Sequence, residues 1–156
     1  MSATSAVVRW FAPVLPEARV GILRTVLYLF VILDIHLFVA DPIPLSRHAE
    51  LYRPLLVERL LHLPPPSVPL TVTLYLVIVA GALIAAANRL PRLAGWVVAA
   101  AFTWWTAIGM SYGKVDHDHM ALVVALWVLP TVGAVSGRWR SNQRSAQAGW
   151  ALKCIQ

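Results

Sequence analysis

The sequence predicts an all-α polytopic membrane helix bundle, with four transmembrane helices and a short interfacial helix in the first outer loop. Of its 156 residues, 59% are hydrophobic and only 13% charged. An average soluble chain has about 45–50% and roughly 25%, so a soluble domain this small could not hide its apolar surface. The apolar residues also gather in runs near the ~20 that cross a bilayer. Finally, the basic residues sit between those runs and form no patch with interleaved aromatics. The net charge of +6 therefore reports membrane topology and gives no sign of a nucleic-acid partner. The lipid bilayer is the expected partner.

Four stretches meet the length criterion: Val20–Ala40, Val68–Ala87, Ala94–Gly113 and His119–Gly137. The fourth is the shortest in strictly apolar residues, and Pro130 should kink it. Arg24 interrupts what would be the apolar core of a cleaved leader, so none is expected. Cys154 is the single cysteine, which excludes an intrachain disulfide and a Cys-based zinc site within this chain.

With the N-terminus inside, nine basic residues fall inside and four outside (Arg47, Arg53, Arg59 and Lys114). The turn Asn88–Arg92 and the basic inner tail 138–156 carry most of that difference. Both termini are therefore expected on the cytoplasmic side. This orientation collects the acids Asp41, Glu50, Glu58, Asp116 and Asp118 on the outer side, along with all five histidines on that side or near it. Nearly all proton or metal chemistry is thus placed at one face.

The first outer loop contains "RPLLVERLLHL". Pro54 suits a first helical position, and Glu58, Arg59 and His62 form a polar face against Leu56, Val57, Leu60 and Leu61. This predicts an interfacial helix over about 54–63. Ser67 is placed to cap the second span. Spans two and three are rich in Ala and Gly, which lets helix backbones approach closely in lipid. The same small-residue faces could dock other membrane subunits. Trp104 and Trp105 lie too deep for an interfacial belt and should face neighbouring helices or a pocket. Arg24 should snorkel to the inner surface. The closing "AGWALKCIQ" reads either as a short interfacial tail or as the start of a further membrane segment, and the second is favoured.

Asp34 lies inside the first span, where an ionisable group costs on the order of 2.5–3.5 kcal/mol at the centre and marks a functional candidate. His36 is two residues on, about 200° around a helix, so the two cannot serve one small ligand. Between spans three and four stands "SYGKVDHDHM", with Lys114, Asp116, His117, Asp118 and His119. Asp116 or Asp118 can cap the fourth span, where negative charge also suits the helix dipole. Capping does not account for the histidines. In an extended backbone, His117 and His119 would face one side as two metal ligands. Alternatively, a histidine oriented by a carboxylate would serve as an acid–base group. A third ligand would have to come from Asp34, His36, Glu58 or His62. The catalytic candidates are His117, His119 and Asp34, the metal candidates His117 and His119. The residues point to no particular cofactor.

The order of these features is similar to the bacterial HTTM-type membrane proteins, relatives of the vitamin K-dependent gamma-carboxylase membrane domain. The resemblance is carried by "ARVGILRTVLYLFVILDIH", then "YRPLLVERLLHLPPPS", then "GKVDHDHMALVVALWVLP", and covers roughly residues 17–150. It implies a bacterial inner-membrane location and a histidine opening a later span at the extracytoplasmic side, the position of His117. Asp118, His119 and Met120 stand where that family has aromatic residues, so carboxylation stays open. Size and topology also resemble the four-span DoxX-like and MauE-like proteins. Two function classes remain. One is a membrane-embedded site acting on or binding a lipid-soluble substrate such as a quinone or isoprenoid. The other is a non-catalytic subunit or scaffold packed against other transmembrane helices.

Overall fold

The computed structural model describes residues 10–113, 115, 117–133 and 143–155. Lys114, Asp116, Arg138 and Arg140, which figured in the capping and topology expectations, lie outside the described residues. The architecture is a helix bundle with three helices long and apolar enough to cross a membrane: α1 (Glu17–Leu37), α4 (Val68–Ala86) and α5 (Pro91–Met110). Between α1 and α4 come a one-turn helix α2 (Pro42–Leu45), a 3-10 turn at Ala49–Leu51 and the short helix α3 (Leu56–Leu60). Helix α6 (Met120–Val128) continues as a 3-10 turn over Leu129–Val132. The last described element is α7 (Ala146–Ile155).

The buried positions of α1 are Val20, Arg24, Tyr28, Val31, Asp34 and Ile35, a single stripe at helical spacing. The rest of the helix presents Ile22, Val26, Leu29, Phe30 and Leu33 outward, as lipid requires. Ser67 caps α4, accepting from the Leu70 N–H at 3.4 Å. Helices α4 and α5 form the most extensive contact in the bundle. Its cause is the small residues: Ala82, Ala85, Val98 and Ala99 are fully buried, and a Cβ on Gly81 would lie 2.7 Å from Val98 Cγ2. Helix α6 is brought equally close to α5, since a Cβ on Gly95 would meet Pro130 Cγ at 2.7 Å.

The expected fourth span reaches only Val132 within the described residues. Nine α-helical residues and four 3-10 residues rise roughly 20 Å, less than a hydrocarbon core of about 30 Å. Pro130 falls inside the 3-10 turn, so the disturbance expected at that proline is a tightening of the helix.

Arg24 does not snorkel. It is fully buried, with Nη1 donating to Asn88 Oδ1 at 2.8 Å and Nη2 to the carbonyls of Gly133 at 2.8 Å and Leu129 at 3.3 Å. Those carbonyls belong to the turn where α6 stops, and in an apolar surrounding they need donors. The guanidinium fork supplies several at once.

The expected interfacial helix is shorter than 54–63 and begins at Leu56. Glu58 leaves the anticipated polar face altogether. It is 1% exposed, and its Oε2 accepts from the Leu55 N–H at 2.9 Å and the Ser111 hydroxyl at 2.5 Å. The carboxylate thus caps α3 and ties it to the end of α5, while Leu56, Leu60 and Leu61 stay exposed. At the far end of the bundle, Leu15–Pro16 (β1) pairs antiparallel with Arg144–Ser145 (β2). Beyond it, α7 buries Ala148 and Ala151 against α6 and α1. The described part of the expected inner tail is therefore a packed helix.

Candidate functional site

Asp34 stands in the last turn of α1, on its buried stripe. His119 stands at the N-cap of α6, in αR conformation. The crossing of these helices puts His119 Nδ1 3.1 Å from Asp34 Oδ2, with side-chain exposures of 10% and 4%. The contact sets the imidazole against a buried carboxylate oxygen, and it is an ion pair when His119 carries both protons. The Asp34 backbone carbonyl is occupied separately, by the N–H groups of Phe38 and Val39 where α1 ends.

The same helix crossing is fixed at its other end by Arg24. Asp34 and Arg24 are ten residues apart on α1, and their contacts His119 and Leu129 are ten apart on α6. At 1.5 Å per residue both spans are about 15 Å, and the helices run in opposite directions. A carboxylate therefore meets the positive end of the α6 dipole and a guanidinium its negative end.

Two cavities border His119. One, of about 280 Å³, lies toward α5 and includes Thr106, Gly109 and Met110. The other, of about 290 Å³, is lined by Phe30, Asp34, Phe38, Asp118 and Leu122. Phe38 is common to both, so His119 and Phe38 form the partition. Phe30 and Phe38 are exposed on the apolar flank of α1. The pair thus combines a hydrogen-bonding acid–base centre with walls suited to an apolar ligand.

The remaining expected site residues separate. His117 is exposed, and its backbone carbonyl accepts from the Met120 N–H. The His-x-His segment therefore does not act as a unit: His119 turns inward at the helix start while His117 stays outside. The N-cap of α6 is His119, with no side-chain cap bond at that position. His36 faces the opposite side of α1 from Asp34, with Nε2 3.1 Å from the Tyr75 hydroxyl. Glu58 is engaged with Ser111, and His62 is exposed at φ 52°. Among the described residues, no three His, Cys, Asp or Glu side chains gather as metal ligands. The third ligand a His117–His119 metal site would need is thus not found among them.

Sequence reasoning missed Thr106 and Phe38 at this site. Phe38 reads as one more apolar residue of the first span, and Thr106 as an ordinary residue of the third. No family model, no curated protein and no solved structure matches this chain.

Proposed function

We propose that the chain is an integral membrane protein of the bacterial inner membrane whose Asp34–His119 pair binds or acts on a lipid-soluble substrate, a quinone or isoprenoid. The observation that carries this reading is the buried pair set between two cavities, one of them flanked by exposed phenylalanines. In such a site His119 exchanges a proton with the polar head of the substrate, Asp34 orients the imidazole, and the apolar walls hold the ring or chain. The resemblance to HTTM-type proteins implies a histidine at the opening of a later span at the position of His117, whereas the buried histidine at the start of α6 is His119.

The orientation proposed is both termini cytoplasmic and the pair extracytoplasmic, from the distribution of Lys and Arg. The exposed Cys154 tests it directly. A membrane-impermeant maleimide should label Cys154 only after cells are opened, and labelling of intact cells would reverse the assignment.

Binding is tested with radiolabelled short-chain quinone and isoprenoid alcohol on protein in nanodiscs. Asp34→Asn and His119→Gln should each weaken binding about tenfold, a loss of roughly 1.4 kcal/mol, with helicity and yield unchanged. A non-catalytic subunit is the second reading, favoured by the apolar outward face of α1. It gains if neither variant alters binding and the protein co-purifies with other membrane subunits.

A further inference from the structure

Two adjoining cavities lie at the opposite end of α5 from the Asp34–His119 pair. The first, of about 480 Å³, opens where α5 begins, between Pro91, Arg92, Val132 and Gln147 in the first turn of α7. The second, of about 290 Å³, is a groove between α4 and α5. Gly81 and Ala94 are buried there, and Val77, Ala80, Ile84 and Val97 complete an apolar lining. Leu90 and Leu93 line both cavities, so the two are neighbours along one surface. Neither shares a residue with the cavities beside His119. Arg92 is about 21 Å along α5 from Thr106, at 1.5 Å per residue.

The polar groups are confined to the first cavity. Arg92 lies across Gly133, where its Nε and Nη2 would stand 2.8 Å from an added Cβ, so the guanidinium sits beside the Val132 wall. Among the described residues Arg92 has no carboxylate partner, and none of those lining the cavity is acidic. The exposed Gln147 adds an amide with two donors. Helix α5 starts at this wall, and its N-cap Leu90 offers no side chain to the first-turn N–H groups. The positive end of the helix dipole therefore adds to the Arg92 charge.

Charge and shape together define what fits. A free anion would leave the groove empty, and an uncharged chain would leave Arg92 without a counter-charge. We propose that the two cavities together bind one anionic phospholipid, its phosphate on Arg92 and Gln147 and one acyl chain along the α4–α5 groove. The planar guanidinium matches two phosphate oxygens at once. Val77–Ile84 and Leu90–Val97 each rise about 10 Å, so the protein holds the chain over roughly a third of a hydrocarbon core of about 30 Å. The remainder of the chain stays in the bilayer.

The test uses the full-length protein in neutral-detergent micelles, with radiolabelled phosphatidylglycerol as the probe and empty micelles as the blank for partition. Saturable binding of one equivalent is expected. Phosphatidylcholine with the same chains has a zwitterionic head and should compete about tenfold more weakly. Inorganic phosphate, which has no chain, should not compete. Arg92→Gln should weaken binding about tenfold, the loss of one charge-assisted contact. Arg89→Gln removes a neighbouring exposed charge that lines neither cavity, and should leave binding unaltered. Ala80→Phe, which fills the groove from its exposed side, should abolish binding, and His119→Gln should preserve it. Where Arg92→Gln lowers folded yield, Ala80→Phe and the phosphatidylcholine comparison decide. No saturable binding, equal competition by phosphatidylcholine or inorganic phosphate, equal losses in Arg89→Gln and Arg92→Gln, loss of binding in His119→Gln, or unchanged binding in Ala80→Phe would overturn the proposal.

Discussion

Nδ1 of His119 lies 3.1 Å from Oδ2 of Asp34, and this contact fastens the start of α6 to the last turn of α1. The two groups should therefore be coupled energetically. In a double-mutant cycle of Asp34→Asn and His119→Gln, read by unfolding in detergent, the interaction energy should be about 0.5–3 kcal/mol. Strictly additive losses would mean that the two side chains are neighbours without a shared interaction.

Arg24 performs the equivalent task at the other end of α6. Replacing it by Leu uncovers the carbonyls of Leu129 and Gly133, and each should cost about 1–3 kcal/mol. Arg24→Lys should recover only part of that, because an ammonium lacks the planar fork that reaches Asn88 and both carbonyls together. Amide exchange over residues 125–133 is the measurement. Exchange left unaltered in Arg24→Leu would remove Arg24 from any role in ending the helix.

Glu58 is the link between α3 and the end of α5. Glu58→Ala should raise amide exchange in Leu56–Leu60 on the order of tenfold or more, while the spans stay protected. Ser111→Ala, which removes one of the two donors, should fall between it and the unaltered protein. A helix α3 that stays protected in Glu58→Ala is held by its apolar face alone.

The Tyr52 hydroxyl is buried beside Glu58, and burial first, then that adjacent carboxylate, holds its pKa well above the usual tyrosine value. The sign follows from linkage. In the unfolded chain Tyr52 ionises near pH 10, while in the folded protein it keeps its proton. Its contribution to stability is complete below pH 10 and is lost as pH rises beyond that. Detergent-solubilised protein should lose stability above pH 10, and Tyr52→Phe should lose less. Equal slopes in both proteins would show that other groups govern the alkaline limit.

What could be read from the sequence follows from which residues carry their own periodicity. The three long helices announce themselves by length and apolarity, and Asp34 stands out because a carboxylate inside a span needs a reason. The choice between His117 and His119 was not legible, because it depends on where α6 begins. Once His119 occupies the N-cap, its ring turns toward α1 and His117 remains outside. The buried role of Arg24 is not legible, because two of its partners are backbone carbonyls, which no residue pattern marks, and the third, Asn88, is 64 residues away. Helical spacing alone places Glu58 on a polar face. That spacing could not reveal that Ser111, 53 residues on, would draw it inward.

The Arg24 contacts also bear on how the protein enters the membrane. Arg24 waits for carbonyls made 105 and 109 residues later, and Asp34 waits for a histidine in the same late segment. An ionisable group costs on the order of 2.5–3.5 kcal/mol at the centre of a span, and less for Asp34 in the last turn of α1. The first helix therefore leaves the translocon with both groups unmatched, and their partners arrive only with the segment that holds α6. Synthesis order makes α6 the piece that commits the nascent chain to its final assembly.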